Sequence, residues 1–252
     1  MAENDAPLAM PEDVIEALAL LSRLPVPPVS PLRGAAAAWA YPVAGLVLGA
    51  ITALAGLVAH GLGLPAPLAA LVALGASILL TGALHEDGLA DTADGLWGGW
   101  TRERRLEIMK DSTLGAYGAV ALFLVLSARW AALWMLFELG PTTAAAAILV
   151  AACLSRGAMP AVMAALPNAR GEGLSARVGT VGRPAAGLAV AIACAVALVF
   201  SGGAGLGALV WAAGATALLA IAAYRKIGGQ TGDILGAVQQ VAEVAVLFSL
   251  LA

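Results

Sequence analysis

Seven apolar runs, each near the length of a membrane-crossing helix, constrain this sequence more than any other feature. Short polar links separate the runs, which contain few charged residues themselves. A helix needs about 20 predominantly apolar residues to cross the hydrocarbon core of a bilayer. The pattern predicts an all-α fold, a polytopic membrane helix bundle with about seven transmembrane helices. The runs cover residues 35–62, 66–84, 114–139, 142–166, 184–200, 205–224 and 232–252.

The composition also indicates that a bilayer is the solvent of this chain. Hydrophobic residues make up 61% of the sequence and charged residues only 12%, about half the usual charged share of a soluble domain. A single soluble core of this size could not hide so much apolar surface. The formal net charge of −3 gives no reason to expect nucleic acid as a partner, because nucleic acid binds to basic faces. Cys153 and Cys194 lie in apolar runs without CxxC spacing, which predicts buried thiols.

Residues 11–24 precede the first run and predict a short amphipathic helix. Val14, Leu18 and Leu21 recur on one face of that helix. Prolines between positions 25 and 31 then end it. The first residues are acidic, whereas a signal peptide begins with positive charge, so no cleavable signal is expected. We expect one integral membrane domain over residues 1–252.

The basic residues predict the orientation of the bundle. If all seven runs cross the membrane, segments 1–33, 85–113, 167–183 and 225–231 share one side. These segments hold eleven of the thirteen Lys and Arg residues, and the opposite links hold none. Cytoplasmic loops carry an excess of Lys and Arg. The pattern therefore predicts a protein of the bacterial or archaeal cytoplasmic membrane whose four polar segments face the cytoplasm.

The densest polar chemistry follows the second run, where Asp87, Asp91 and Asp94 are spaced i, i+4 and i+7. On a helix this spacing places the three carboxylates on one face. Carboxylates stacked beside a membrane repel one another and are poorly solvated, and a bound divalent cation removes that cost. Carboxylate oxygens suit Mg²⁺ or Mn²⁺. The spacing predicts a metal site, and a solvated acidic loop is the alternative.

Basic and neutral polar side chains near the acids are candidates for catalysis and phosphate binding. Arg102 and Arg105 can hold phosphate oxygens in bidentate contacts, although the topology alone also explains their charge. Lys110 and Asp111 adjoin the third run and can point back toward the same site. His85 is the nearest histidine and a candidate general base, although a lone histidine more often serves as a hydrogen-bonding group.

Several motifs closely resemble those of the cobalamin synthase family, the adenosylcobinamide-GDP ribazoletransferases. One of these motifs, residues 82–96, contains the acidic segment, and two more follow it at residues 106–112 and 115–118. Other motifs of the family resemble residues 22–27, 41–45, 170–174 and 229–237 together with Glu243, and occur in the same order. Several independent motifs in the same order across the chain favour membership of this family over a chance match.

This resemblance implies an integral membrane transferase that uses Mg²⁺. Its substrates would be adenosylcobinamide-GDP and α-ribazole or α-ribazole 5′-phosphate, and it would release GMP. The catalytic candidates are then His85, Asp87, Asp91, Asp94 and Lys110. Glu86 or Asp111 would complete a metal shell around the three aspartates. The candidates for substrate contacts are Arg102, Arg105, Arg170, Arg177 and Asp233. The helix N-terminus on which Asp233 is expected gives an equal structural reason for an acid there.

Two other classes of function are compatible with parts of the pattern. An ion-coupled transporter would use the carboxylates as cation sites, but it needs them near the bilayer midplane, whereas these acids begin at a membrane edge. A scaffold that recruits soluble enzymes would show no turnover.

Polar residues inside the runs, and small-residue faces, add further expectations. Arg129, Arg156 and Glu243 should face the bundle interior, where pairing lowers the cost of burial. We expect membrane lipid as a partner, and the small-residue faces permit a homo-oligomer as well as packing within one chain.

Overall fold

The computed structural model describes residues 7–252, and this part of the chain contains eleven α-helices and no β-strand. The prediction of an all-α bundle is confirmed. A 3₁₀ helix, Gly34–Ala40, leads into α2. The α-helices are α1 (Glu12–Leu21), α2 (Tyr41–Gly61), α3 (Ala66–Thr81), α4 (Leu84–Gly98), α5 (Arg102–Ile108), α6 (Ala116–Leu139), α7 (Pro141–Ala165), α8 (Leu174–Val178), α9 (Arg183–Ser201), α10 (Ala204–Ile227) and α11 (Gly232–Ser249).

Five helical stretches in the described residues are long and apolar enough to cross a membrane. They are Gly34–Gly61, α6, α7, α9 and α10, and the count becomes six if the bent pair α3 and α4 forms one broken span. A multi-pass membrane protein is therefore confirmed. The expected number of about seven exceeds this count by one or two. Run 66–84 ends at the bend between α3 and α4, and run 232–252 forms α11, which contains Asp233, Gln239, Gln240 and Glu243.

The second apolar run ends in a sharp corner. α4 departs at 86° from the direction of α3, and the corner consists of Gly82 and Ala83, with φ of 63° and 58°. Glycine adopts a positive φ without strain, whereas alanine there is costly. The backbone N–H of Arg23 donates to the carbonyl of Leu80 at 2.7 Å, and its side chain packs on Gly82. The segment after α1 therefore holds this corner, which directs the acidic helix α4 toward α11.

α11 is the central helix of the bundle. Twelve of its 18 residues are buried, and it packs against α4, α6, α7 and α10. Its buried polar residues Gln239, Gln240 and Glu243 lower its apolarity below that of the lipid-facing helices. Because the surrounding helices separate α11 from lipid, the polar groups find partners in the protein.

The polar segments of the sequence meet at one end of the bundle, which we call the polar end. It consists of α1, the 3₁₀ helix, α5, α8 and the links 167–173 and 228–231. Arg102 joins two of these segments, because its Nε donates to the carbonyl of Ile227 at 2.8 Å and its Nη2 donates to that of Ala169 at 2.9 Å. Gly34, in turn, lies against the carbonyl of Val178 in α8. Residues distant in sequence thus form one polar surface.

Candidate active site

The site begins where α4 crosses α11, and two glycines permit the crossing. A Cβ at Gly88 would lie 2.9 Å from the carbonyl oxygen of Asp233, and a Cβ at Gly236 would lie 3.3 Å from the Cα of Gly88. Any side chain at Gly88 would push the two backbones apart. The contact brings the acidic face of α4 beside the first turn of α11.

Asp87, Asp91 and Asp233 lie close enough to interact electrostatically at this crossing. α4, which carries Asp91, is not one of the five apolar spans. Burial raises the pKa of Asp91 to about 7, and repulsion from Asp87 and Asp233 contributes further to this shift. The guanidinium of Arg170 opposes this shift, and its Nη2 donates to Asp233 Oδ2. The cluster therefore brings together three carboxylates with one cation from the 167–173 link.

The chemistry of this cluster fits a divalent cation bound by oxygen ligands. Within the described residues, no three Asp, Glu, His or Cys side chains are arranged as a ready-made metal site. Mg²⁺, however, typically takes one or two protein carboxylates and completes its shell with water and substrate phosphates. Mutual repulsion among Asp87, Asp91 and Asp233 supplies the reason to bind a cation, and Arg170 partly offsets that repulsion in this structure.

Asp94 lies on α4 but contacts the beginning of α6. Its two oxygens accept hydrogen bonds from the backbone N–H groups of Gly115 at 2.8 Å and Gly118 at 2.9 Å. A Cβ at either glycine would lie 2.4 Å from an Asp94 oxygen. Asp94 therefore satisfies N–H groups that a helix start leaves unpaired, and its charge suits the positive end of the α6 dipole.

Glu86 faces the bundle interior and belongs to a buried ionic network. Its Oε1 accepts from Arg129 at 2.9 Å and from Gln240 at 3.0 Å. Arg129 also donates to Glu243 Oε1 at 2.7 Å, and Arg156 lies 3.7 Å from Glu243. The expected pairing of these intramembrane charges is present, and it joins the acidic helix to α6, α7 and α11.

The remaining acidic and basic candidates lie around the rim of the site. Asp111 is exposed and accepts from the backbone N–H of Thr113. Lys110 pairs with Glu172 and thereby lowers the pKa of that carboxyl. Arg105 donates to the carbonyl of Lys226 at 3.0 Å. Arg105, like Arg102, thus satisfies carbonyls at the C-terminal end of α10, where basic side chains are favourable.

His85 and Arg177 face two cavities of the polar end. His85 is 1% exposed, lines a cavity of about 170 Å³ beside Asp87 and Asp233, and has no partner for Nε2 among the described residues. Arg177 is exposed on α8 and lines a neighbouring cavity of about 570 Å³. The structure thus brings His85, Asp87 and Asp233 to one cavity and places Arg177 beside it.

Hydrogen bonds between the 167–173 and 228–231 links position Arg170 and Asp233. The sequence pattern did not predict this contact. The backbone N–H of Gln230 donates to the carbonyl of Pro167 at 2.9 Å, and Ala169 N–H donates back to Gln230 at 2.8 Å. Ser175 Oγ donates to the Gln230 side chain at 2.7 Å. Thr231 then caps α11 by accepting from Ile234 N–H at 3.3 Å. The Thr-x-x spacing before α11 is a cap signal that the sequence carries.

Comparison with known proteins gives the same relationship over nearly the whole chain. Residues 13–251 match the family described as cobalamin-5-phosphate synthase. An adenosylcobinamide-GDP ribazoletransferase from Bradyrhizobium diazoefficiens is 46% identical over 243 residues, covering 93% of this chain and 91% of that protein. Another protein of that name, from Mesorhizobium japonicum, is 45% identical over 246 residues, covering 96% and 93%. No solved structure matches the chain.

The matched range extends from α1 to two residues beyond the end of α11 and contains the segments that form the polar end. It therefore includes the α4–α11 crossing, the carboxylate cluster and the loops that position them. The resemblance of the motifs is confirmed, and the chain belongs to the cobalamin-5-phosphate synthase family.

Proposed function

We propose that this protein transfers the cobinamide-phosphate group of adenosylcobinamide-GDP to α-ribazole or α-ribazole 5′-phosphate and releases GMP. The relatives that carry this activity in their names are 45–46% identical to this chain over 93–96% of its length. The structural observation that carries the proposal is the meeting of Asp87, Asp233 and Arg170 at a cavity of the polar end, with Asp91 close enough to all three to interact electrostatically. These relatives favour a transferase over an ion-coupled transporter.

The proposed reaction breaks the phosphoanhydride bond of the GDP unit and forms a new phosphate ester bond. A ribose hydroxyl of the acceptor attacks the phosphorus that carries the cobinamide, the bond from that phosphorus to the GMP oxygen breaks, and the hydroxyl proton is lost. Because the 5′-phosphorylated acceptor is an alternative substrate, the attacking hydroxyl is one of the other ribose hydroxyls. Phosphoryl transfer depends mainly on positioning and charge neutralisation.

We propose that Mg²⁺ is held by Asp87, Asp91 and Asp233. The other ligands that the sequence predicted are less favoured than these three: Glu86, Asp94 and Asp111. Mg²⁺, when bound, would neutralise charge on the substrate phosphates. Arg170 pairs with Asp233 in this structure and is placed to contact a phosphate oxygen in the loaded site. His85 lines the same cavity and offers its unpartnered Nε2 to a substrate hydroxyl.

We further propose that the polar end faces the cytoplasm of a bacterial or archaeal cell and that the bundle lies in its cytoplasmic membrane. The positive-inside distribution of eleven of the thirteen basic residues supports this orientation. Large apolar side chains on the outer helices are exposed, such as Val199 at 77% and Leu218 at 74%, which suits contact with lipid. A homo-oligomer stays a prediction.

The experiment that tests this function measures GMP and the corrinoid product from adenosylcobinamide-GDP and α-ribazole. Purified protein in detergent or vesicles is assayed with Mg²⁺, with chelator, and as the Asp91→Asn variant. Product that requires Mg²⁺ and Asp91 is expected. Glu103→Gln, at an exposed carboxylate of α5, is the matched control and should retain turnover. Folded wild-type protein without turnover would contradict the proposal, and an ion flux assay in vesicles would then test transport.

A further inference from the structure

A second cavity of about 570 Å³ lies next to the carboxylate cluster, between α1, the 3₁₀ helix and α8. We call it the acceptor cavity. Four residues line both it and the smaller cavity that contains Asp87 and Asp233: Leu20, Tyr41, Leu174 and Val178. A ligand in the acceptor cavity is therefore separated from the carboxylates by a wall only one side chain thick. Its volume lies within the roughly 300–1,000 Å³ range of sites for small organic ligands.

The inner wall of the acceptor cavity is apolar, and most of its charged groups are already paired. Both backbone N–H groups of Arg33 and Gly34 donate to Glu16, at 2.8 and 2.7 Å. The Arg33 guanidinium donates to Asp13 at 2.7 Å. The Arg177 guanidinium has no hydrogen bond or ion pair with any residue of the range 7–252, and only its backbone N–H is bonded, to the carbonyl of Gly173 at 3.1 Å. The cavity thus offers a ligand an apolar pocket with one available cation.

This chemistry distinguishes between the parts of the two substrates. A guanine base has acceptors at N7 and O6 and a donor at N2, and burying these groups against an apolar wall without partners is costly. The corrinoid is far larger than the cavity. The benzimidazole ring of α-ribazole has a hydrocarbon edge, which loses little on leaving water, and a 5′-phosphate on its ribose would match Arg177.

Resting on the proposed function, we infer that the acceptor cavity binds the base and ribose of α-ribazole and that Arg177 binds the 5′-phosphate. The walls shared with the smaller cavity would leave the ribose hydroxyls directed toward the carboxylate cluster. The apolar wall makes the enzyme select acceptors whose base has an apolar edge. Arg177 makes the phosphorylated acceptor bind more tightly than the free nucleoside.

Equilibrium dialysis with radiolabelled α-ribazole and α-ribazole 5′-phosphate tests this inference on detergent-purified full-length protein in chelator. Ala19→Trp fills the cavity from an exposed position of α1 and should weaken both ligands by at least tenfold. Arg177→Gln should weaken only the phosphorylated ligand, by about tenfold, the size expected for a hydrogen bond between charged groups. Ala119→Trp and Arg183→Gln, also at exposed positions, are the matched controls and should bind as wild type.

Steady-state kinetics separates this inference from the proposed function. With α-ribazole 5′-phosphate as the acceptor in the turnover assay, Ala19→Trp and Arg177→Gln should both raise the acceptor KM while leaving the KM for adenosylcobinamide-GDP unchanged. With α-ribazole as the acceptor, only Ala19→Trp should raise it. If the wild-type protein is active and neither Ala19→Trp nor Arg177→Gln changes the acceptor KM, the inference is overturned and the transferase function is kept. Selective acceptor binding without turnover would keep the cavity assignment and contradict the transferase. If phosphatidylglycerol displaces the acceptor and the acceptor KM is unaltered in Ala19→Trp and Arg177→Gln, the cavity is a lipid site and the inference is also overturned.

Discussion

Replacing Arg129 with Met tests whether the buried ionic network holds the acidic helix in place. Arg129 is 3% exposed and donates to Glu86 at 2.9 Å, Glu243 at 2.7 Å, Gln240 at 3.1 Å and Ser77 at 3.0 Å. Two arginines and two glutamates make the network formally neutral. Without Arg129 it would carry one excess negative charge inside the bundle, with only Arg156 left near Glu243.

The expected loss follows from leaving a buried charge without its partner. Removing one member of a buried ion pair typically costs about 3–5 kcal/mol, a large part of a total stability of about 5–15 kcal/mol. For a chain of this size, 1 kcal/mol shifts the melting temperature by about 2–4 °C. Arg129→Met should therefore lower the Tm by roughly 6–20 °C, measured by thermal unfolding in one detergent at one protein concentration.

A second variant separates charge from packing. Arg129→Met combined with Glu86→Gln restores neutrality, so it should be more stable than the sum of the two single changes by about 0.5–3 kcal/mol. Arg104→Gln removes an exposed ion pair with Glu107 and should change stability by less than about 1 kcal/mol. A near-native Tm for Arg129→Met, or strict additivity in the double variant, would refute the reasoning.

Three other changes test the site itself. Gly88→Val should separate α4 from α11, because its Cβ would lie 2.9 Å from the Asp233 backbone, and turnover should fall at least tenfold. Gly187→Val, at an open position of α9, is the control and should stay active. Equal activity of the two variants would contradict the close crossing. Asp94→Ala should lower the stability by about 1–2 kcal/mol because it uncaps α6, and this loss is measured as a lower Tm. It should reduce the Mg²⁺ affinity less than Asp91→Asn does. A larger loss of Mg²⁺ affinity in Asp94→Ala would make Asp94 the stronger ligand. The pKa of Asp91 near 7 predicts that Mg²⁺ affinity rises as pH increases through 7, because the metal binds the deprotonated carboxylate. Calorimetry in buffers of different ionisation enthalpy should detect the released proton, and a flat profile between pH 6 and 8 would contradict this assignment.

The acidic segment illustrates how far sequence spacing extends toward a site. The i, i+4, i+7 pattern correctly implies a helix that carries Asp87, Asp91 and Asp94. Spacing cannot say which neighbour each side chain meets, and here Asp94 contacts the start of α6 while Asp233 arrives from α11. The candidate metal cluster therefore joins residues about 140 positions apart, a combination that depends on the packing of two helices.

The basic candidates show the same division. Their charge pattern predicted a shared side, and the structure brings the corresponding segments together at the polar end. Arg102 and Arg105 nevertheless contact carbonyls of α10 and the 167–173 link, whereas Arg170 contacts the carboxylate cluster. A positive charge has several favourable positions in a loop, and only the tertiary contacts select one of them.

The sequence alone determined the membrane class, the helical fold, the family and the segments that form the polar end. These properties depend on hydropathy and motifs, which act locally along the chain. The tertiary structure decided the corner at Gly82 and Ala83, the burial of α11 and the partners of the individual acids. Each of these depends on which helix lies beside another, because a side chain's chemistry is set by burial and by its nearest charges.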